Sequence, residues 1–166
     1  TMKEGFCLDQ ELEYVKKDGG SLLCSTSTFL MRDEDGNPIG VGGIAIDITE
    51  RKKMEEELRL LSSAVEQSTE GIAVSDLEGN LLFVNNAFAA MHGYVPEEVV
   101  GKHLSIFHTP EQIPAVEAAN RQMQETGEFS GEIWHARRDG TVFPTLMHNS
   151  LLRDEAGNSI GMIGTL

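Results

Sequence analysis

The residues of this chain that could carry chemistry are two cysteines, five histidines and 27 acidic residues. Cys7 and Cys24 show no Cys-x-x-Cys or Cys-His spacing and the histidines are scattered, so the sequence predicts no metal site. If residues 17–20 form a hairpin turn, Cys7 faces residue 30 or 31 and Cys24 faces residue 13 or 14. The thiols are then separated by about 20 Å along the ribbon, which argues against a disulfide.

The sequence also lacks the residue groupings that enzymes use. Catalysis needs a nucleophile beside a base, paired acids in a cleft, or a phosphate-binding loop, whereas the acids here cluster on predicted turns and helix starts. Several glycines lie inside predicted strands and open no helix, which indicates bulges or close packing and not a phosphate site. They are Gly40, Gly42, Gly43, Gly161 and Gly164. We therefore predict that this chain is not an enzyme.

The composition is that of an acidic globular protein. Of the 166 residues, 40% are hydrophobic and 24% are charged. The formal net charge of −14 repels phosphate backbones and anionic lipids, so we expect no nucleic acid partner and no membrane insertion. The longest nearly apolar stretch, residues 39–46, is far shorter than the roughly 20 residues that span a bilayer. The first residues show no basic region followed by an apolar one, so no export signal is expected in this segment. We therefore expect a cytoplasmic location.

An internal repeat organises the chain. With a shift of 121 residues, segment 32–40 aligns with segment 153–161, and Lys17-Asp18-Gly19 aligns with Arg138-Asp139-Gly140. Both copies are typical of a strand, an Asp-Gly turn, a second strand, an Asp-x-x-Gly-Asn turn and a third strand. The sequence therefore predicts two copies of one three-stranded antiparallel segment.

The surroundings of each copy predict the domain boundaries. We expect the C-terminal part of a first domain at residues 1–49, a linker helix at 50–68 and a nearly complete second domain at 69–166. We expect the first segment to lack the half that would cover its apolar residues, so we predict that it is ordered only by packing against the second unit or another copy, for example by strand exchange with residues 128–166. The alternative is a locally disordered, protease-sensitive segment, and the sequence leaves open whether it folds alone. Those apolar residues are Leu22, Leu23, Phe29, Leu30, Ile39 and Ile44.

The linker carries an apolar stripe at heptad-like spacing. Residues 50–68 contain no Gly or Pro, and Met54, Leu58, Leu61 and Val65 recur at intervals of four, three and four. One interpretation is an amphipathic helix that packs on its own domain. The other is a coiled-coil helix that pairs with its mate in a homodimer.

The second unit alternates predicted strands and helices. We expect strands at about 72–76, 81–85, 128–138, 142–153 and 160–166, and helices at 86–92 and 96–101. A longer helix is expected to begin with the capping box Thr109-Pro110-Glu111-Gln112 and to end at Gly127. This order predicts an α+β fold in which helices cover one face of a five-stranded antiparallel sheet, preceded by the linker helix and the three-stranded segment.

Three segments of the sequence resemble a known protein family. The segment from Asn86 to Lys102 resembles the helical part of PAS sensory domains, and the sequence from Arg138 onward resembles their C-terminal PAC motif. The run Asp47-Ile48-Thr49-Glu50-Arg51-Lys52 is similar to the exit motif that joins a PAS domain to its signalling helix. The resemblance implies a sheet folded around a small cavity, and a tandem PAS fragment of a bacterial or archaeal sensor such as a histidine kinase.

The resemblance also bears on cofactors. Blue-light flavin domains of this family need a cysteine in the segment that matches 101–105, where this chain has Leu104, so thiol-adduct photochemistry is excluded. Family members that bind haem usually place its histidine ligand on the long helix, and residues 112–127 contain no histidine, which disfavours haem. A flavin held without a covalent bond is left open, and the ligand is otherwise unknown.

Strand alternation and the resemblance together suggest a ligand-binding face. Taking His135 and Thr145 as cross-strand neighbours, polar groups lie on a face where a closed core would be apolar. One interpretation is a structural hydrogen-bond network or ordered water; the other is a ligand pocket. The candidate pocket residues are Ala73, Ser75, Val116, Ala119, Met123, His135, Thr145, Met147 and Asn149. Trp134, next to this face, is expected to point outward.

Two functional hypotheses follow from the resemblance. The first is a sensory PAS module that binds a small ligand or cofactor, or senses redox state, and relays the signal through helices to an output domain such as a histidine kinase or a diguanylate cyclase. The alternative is a ligand-free PAS module that serves only dimerisation and signal transmission. In both cases the expected partners are a second copy of the chain and other domains of the same protein.

Overall fold

The computed structural model describes residues 6–166. The chain forms two compact units, which divide between Leu61 and Ser62. The strands of the described residues are β1 (Phe6–Val15), β2 (Ser21–Arg32), β3 (Pro38–Asp47), β4 (Ile72–Ser75), β5 (Leu81–Val84), β6 (Glu128–Ala136), β7 (Val142–Arg153) and β8 (Ser159–Thr165). The helices are α1 (Thr49–Glu66), α2 (Asn86–Met91), α3 (Pro96–Val99) and α4 (Ile113–Thr126), with a 3-10 turn at Leu104–Phe107.

The first unit is a three-stranded antiparallel sheet in the order β1-β2-β3. Its register differs from the prediction, because Cys7 lies opposite Thr28 and Cys24 lies opposite Leu12. The turn before β2 is longer than expected, and a bulge at Asp9, where φ is +50°, shifts the pairing again. Cys24 is buried with a free thiol. The Cys7 side chain lies outside the described residues, and with it the expectation about a disulfide.

The sheet of the first unit exposes part of its apolar surface. Ile39 and Ile44 are each 62% exposed and Phe29 is 40% exposed, whereas Leu22, Leu23 and Leu30 are half-buried. The Phe29 ring lies over Gly42, where a Cβ atom would come within 2.5 Å of it. Close packing, as predicted for the strand glycines, therefore explains Gly42.

Helix α1 agrees with the helix predicted at 50–68. Asp47 Oδ1 accepts a hydrogen bond of 2.9 Å from the Thr49 amide at its start, which satisfies one of the free N–H groups of the first turn. The apolar stripe points away from its own unit, since Met54, Leu58 and Leu61 are between 57% and 70% exposed. No helix within residues 6–166 is long and apolar enough to cross a bilayer.

The second unit is an antiparallel sheet of five strands in the order β5-β4-β8-β7-β6. The last strand, β8, lies between β4 and β7, which brings the two hairpins of the unit together. The short helices pack at the end of the sheet that carries β5, around a core with Phe88 and Phe107 at its centre. The predicted α+β fold with a five-stranded sheet is confirmed.

Helix α4 begins later than predicted. The capping box at Thr109 is half formed, because Gln112 Oε1 accepts a 2.9 Å hydrogen bond from the Thr109 amide, but the next residues form a turn and the helix begins at Ile113. The reason is Pro114. A helix beginning at Pro110 would place Pro114 in its interior, where it lacks the amide hydrogen and clashes with the preceding turn. Beginning at Ile113 places Pro114 in the first turn, where no hydrogen bond is lost.

One turn motif occurs three times. In each Asp-x-x-Gly-Asn sequence the aspartate accepts hydrogen bonds from the backbone and side-chain amides of the asparagine four residues later, and the glycine has φ between +85° and +90°. These interactions lower the pKa of each aspartate. The repeat analysis identified two of the copies, and the third connects β4 to β5. The aspartates are Asp33, Asp76 and Asp154.

Asn85 joins three elements of the second unit through one fully buried side chain. Its Oδ1 accepts hydrogen bonds of 2.9 Å from the Ile72 and Phe88 amides, at the starts of β4 and α2. Its Nδ2 donates to the Val65 carbonyl at 3.0 Å and to the Glu70 carbonyl at 2.9 Å. The side-chain amide of Asn85 therefore uses both lone pairs of Oδ1 and both hydrogens of Nδ2.

Replacing Asn85 by Ala is expected to lower the free energy of unfolding by about 2–4 kcal/mol, because a fully buried side chain no longer bonds four backbone groups, of which the Phe88 amide is buried and the others are partly buried. Asn85→Asp keeps the two accepted hydrogen bonds but turns an anion toward two carbonyl oxygens. It should therefore be no more stable than Asn85→Ala. Urea unfolding measures both variants. The control is Asn86→Ala, which removes an exposed contact with Glu66 and should cost less than about 0.5 kcal/mol. An equal loss of unfolding free energy in Asn85→Ala and Asn86→Ala would contradict the proposed role of Asn85.

Candidate functional site

A cavity of about 290 Å³ lies between the inner face of the five-stranded sheet and helix α4. The rest of its wall comes from strands β4, β6, β7 and β8, the turn between β4 and β5, Phe88 of α2 and the segment around the 3-10 turn. Eight of the nine residues that the sequence suggested line this cavity. They are Ala73, Ser75, Val116, Ala119, Met123, His135, Met147 and Asn149.

Thr145, the ninth suggested residue, does not line the cavity. Its hydroxyl donates a 2.8 Å hydrogen bond to the Ile133 carbonyl, and the side chain is buried within the sheet. The assumed register was also wrong, because His135 lies opposite Phe143 and Thr145 lies opposite Ile133. The two-residue error preserves the face, since side chains alternate with period two. Trp134 points outward as expected and is 46% exposed.

The cavity also has walls that the sequence did not indicate. Leu104 and His108 come from the irregular segment between α3 and α4, and Met162 comes from β8. Strand alternation could have identified Met162, which lies opposite Ser75 and Leu151. No periodicity exists in the loop, so His108 could not have been assigned to the cavity from its position in the sequence.

Two buried histidines form a chain of hydrogen bonds behind the cavity, which we call the histidine relay. His92 Nδ1 lies 2.7 Å from the Phe88 carbonyl oxygen, and His92 Nε2 lies 2.7 Å from His135 Nδ1. His135 Nε2, at the end of the relay, lies 3.2 Å from Met147 Sδ. The relay therefore runs from the backbone of α2 to the cavity wall on β6 and β7.

The Phe88 carbonyl fixes the tautomers of the relay. A carbonyl oxygen only accepts, so His92 carries its proton on Nδ1 and its neutral ring accepts at Nε2. His135 must then donate from Nδ1, which leaves its Nε2 unprotonated. Burial is the main cause that lowers the pKa of His92 to about 4 and that of His135 to about 2, so both rings are neutral at pH 7.

Two other polar atoms of the cavity wall are buried without a partner. Ser75 Oγ and Asn149 Oδ1 make no hydrogen bond within the described residues. Asn149 lies against Gly164, where a Cβ atom would come within 2.6 Å of Oδ1, so the glycine provides the space for this amide. The predicted close packing of Gly164 is thus confirmed. Both orphaned atoms can accept a hydrogen bond from a bound molecule.

The charges around the cavity restrict what could bind. Among the described residues that line it, the ionised side chains are Glu78 and Glu117, and no Lys or Arg is present. Leu104, which the sequence resemblance matches to the cysteine of blue-light flavin domains, lines the cavity. The described wall therefore offers hydrogen-bond acceptors on a mostly apolar surface, and it offers no cation for a phosphate group.

Below pH 6.5 the histidine relay should make the second unit less stable. The unfolded histidines bind protons near pH 6.5, whereas His92 and His135 in the folded state resist protonation, so stability is complete above pH 6.5 and falls toward pH 4. Each histidine contributes a slope of up to about 1.4 kcal/mol per pH unit. Unfolding of His135→Leu between pH 7 and 4.5 should show a shallower slope than wild type. His148→Ala, at an exposed position, should keep it, and an unchanged slope in His135→Leu would contradict the prediction.

Comparison with known proteins places this architecture in a family. The family model described as "PAS domain" matches residues 1–50 and 69–166. Phototropin-2 of Oryza sativa subsp. japonica is 30% identical over 129 residues, which are 75% of this chain and 14% of that protein. The bacterioopsin transcriptional activator of Halobacterium salinarum is 28% identical over 115 residues, or 67% of this chain and 17% of that protein. The chain thus spans less than a fifth of these relatives.

Solved structures show the same fold. The PAS domain of a protein from Colwellia psychrerythraea superimposes with a TM-score of 0.62 at 21% identity, over 66% of this chain and 93% of that one. An RNA-binding light-oxygen-voltage receptor superimposes with a TM-score of 0.57 at 25% identity, over 68% of this chain and 33% of that one. Together with the family match and the sheet built around a cavity, these likenesses identify the chain as a member of the PAS domain family of sensory modules.

Proposed function

We propose that this chain is a sensory module whose second unit binds a small ligand in the cavity. The observation that carries the proposal is the pair of orphaned acceptors, Ser75 Oγ and Asn149 Oδ1, on a mostly apolar wall. A buried polar atom without a partner costs about 1–3 kcal/mol. A ligand that donates hydrogen bonds to these atoms recovers that cost, while the apolar wall covers its remaining surface.

The ligand that the wall fits best is uncharged, because the lining supplies acids and neutral histidines but no Lys or Arg within the described residues. Some structural relatives are light-oxygen-voltage proteins, and one was studied with a flavin analogue. A flavin ring held by Ser75 and Asn149 is a candidate here, with its phosphate outside the cavity. Bound flavin supplies light absorption and redox chemistry, whereas Leu104 supplies no thiol to react with it.

The signal is proposed to leave through helices to an output domain elsewhere in the parent protein. Asn85 supports this route within the second unit, because one amide bonds the last turns of α1, the start of β4 and the start of α2. A ligand that shifts β4 therefore acts on the same side chain that holds the end of α1. The described residues carry no catalytic grouping, and we propose a regulatory role without enzymatic activity.

Native mass spectrometry and an absorption spectrum of the purified protein test ligand binding together. A retained metabolite adds mass, and a flavin or haem adds visible colour. A protein with neither, which also fails to bind members of a metabolite library, would favour the ligand-free module that serves dimerisation and signal transmission only.

Filling the cavity should abolish ligand retention. Ala119 is 6% exposed and faces the cavity from α4, so Ala119→Phe places a ring in the ligand's volume. The matched control is Ala118→Phe, which puts the same ring on the exposed side of the helix. We expect loss of the co-purified mass in Ala119→Phe alone, with unchanged far-UV circular dichroism in both. Retention by Ala119→Phe would show that the ligand lies elsewhere.

We also propose that α1 pairs with its mate in a homodimer, because its apolar stripe is exposed along Met54, Leu58 and Leu61. Leu58→Lys with Leu61→Lys should give a monomer in analytical ultracentrifugation, since the seam of a coiled coil excludes charge. Leu60 is equally apolar and is 70% exposed, but it lies off the stripe, so Leu60→Lys should stay dimeric. A wild-type protein that is monomeric at tens of micromolar would refute the dimer.

A further inference from the structure

The second unit carries a groove that is distinct from the ligand cavity. It has a volume of about 480 Å³ and lies between strand β6 and residues 109–115, which lead into α4, and we call it the β6 groove. Ile133 is the residue that the groove and the cavity share. Strand β6 is the last strand in the order of the five-stranded sheet, so one of its sides has no neighbouring strand.

The free side of β6 offers backbone hydrogen-bonding groups to the groove. Trp134 lies opposite Pro144, which has no amide hydrogen, and the Trp134 carbonyl oxygen instead lies 3.2 Å from His108 Nδ1, which donates to it. That carbonyl therefore points away from β7. Residues of an antiparallel strand alternate in this respect, so Glu132 also directs its amide and carbonyl groups away from β7. Such an edge can pair with an added strand.

An exposed aromatic ring forms one wall of the groove. Trp134 is the only tryptophan of the chain and is 46% exposed. Its Nε1 donates a 3.1 Å hydrogen bond to Glu132 Oε1, which fixes the orientation of the indole. Val142, also exposed, extends the apolar surface beside it. A fixed indole face attracts a guanidinium group, and tryptophan is among the residues that dominate binding energy at protein interfaces.

The charge of the groove is negative. Among the described residues that line it, the ionised side chains are Glu111 and Glu132, and neither Lys nor Arg is present. The hydrogen bond from the Thr109 side chain lowers the pKa of Glu111, so this carboxylate is charged at neutral pH. One acid lies on the helix side of the groove and the other lies on the strand side. The groove is therefore complementary to a basic partner.

We propose that the β6 groove binds an extended basic segment of a partner protein, which adds to β6 as a further strand. Its backbone pairs with the free side of β6, and an arginine side chain lies against the Trp134 ring and the carboxylates of Glu111 and Glu132. Arginine suits this position better than lysine, because its planar group stacks on aromatic rings and also binds carboxylates. The surface is separate from the cavity and does not depend on the ligand proposed above.

The fluorescence of Trp134 tests the proposal, because no other tryptophan contributes to the signal. We expect a saturable change on titration with the peptide acetyl-Thr-Val-Arg-Val-Thr-amide. The same peptide with glutamate in place of arginine should bind about 10-fold more weakly, since it loses the ion pairs and the stacking. A version with proline in place of both valines loses two backbone donors and should also bind about 10-fold more weakly.

Variants of the protein locate the binding site. Glu132→Gln keeps an oxygen that can accept from the indole but removes the charge, and it should weaken binding of the arginine peptide by about 2–5-fold. The matched control is Glu128→Gln, which removes the same charge from β6 outside the groove and should bind as wild type. Equal binding by Glu132→Gln and Glu128→Gln would contradict the proposed role of the groove acids.

Filling the groove should abolish peptide binding measured by titration calorimetry. Ala115→Phe places a ring in the groove from an exposed position of α4, whereas Ala118→Phe places it outside the groove and should bind as wild type. Ala119→Phe, which fills the cavity, should also bind the peptide, so the two proposals fail separately. The inference is overturned if wild type shows no saturable binding, if the glutamate peptide binds equally well, or if Ala115→Phe retains binding. Loss of a dimer in Ala115→Phe would assign the groove to a second copy and would also overturn it.

Discussion

The second unit depends on one buried amide. Asn85 holds the start of α2 by accepting from the Phe88 amide, and α2 is only six residues long, so its position is set at this cap. The residue that ends α2 is His92, whose carbonyl accepts a 2.9 Å hydrogen bond from the Arg138 amide beyond β6. The cap therefore positions His92 against His135, and with it the back wall of the cavity.

One glycine of β8 makes room for a polar side chain in the cavity wall. Gly164 lines the cavity and lies against the Asn149 amide, so a side chain at this position would collide with it. The two orphaned polar atoms of the wall lie on the strands to either side of β8, at Ser75 on β4 and at Asn149 on β7. An apolar interior with two orphaned acceptors is costly for folding alone, and such a cost is common at binding sites.

Much of this fold could be predicted from the sequence, because turn residues and side-chain alternation are local signals. The Asp-x-x-Gly-Asn turns marked the hairpins, and alternation along β6 and β7 gave the inward face correctly although the pairing was wrong by two residues. The histidine relay could not be predicted, since His92 and His135 are 43 residues apart. His92 lies at the end of a helix and His135 on a strand, and the side-chain repeats of helices and strands differ. The start of α4 was missed because two prolines compete for the first turn, and only the interior clash of Pro114 decides between them.

The place of β8 between β4 and β7 has a consequence for biosynthesis. Gly71 and Leu166 exchange two backbone hydrogen bonds across 95 residues, so β4 meets its second neighbour only when the end of this segment has been translated. At about 5–20 residues per second, β4 waits roughly 5–20 s with an unpaired edge. Local turns form within microseconds, so the β4–β5 hairpin has time to form long before its long-range partner β8 is available.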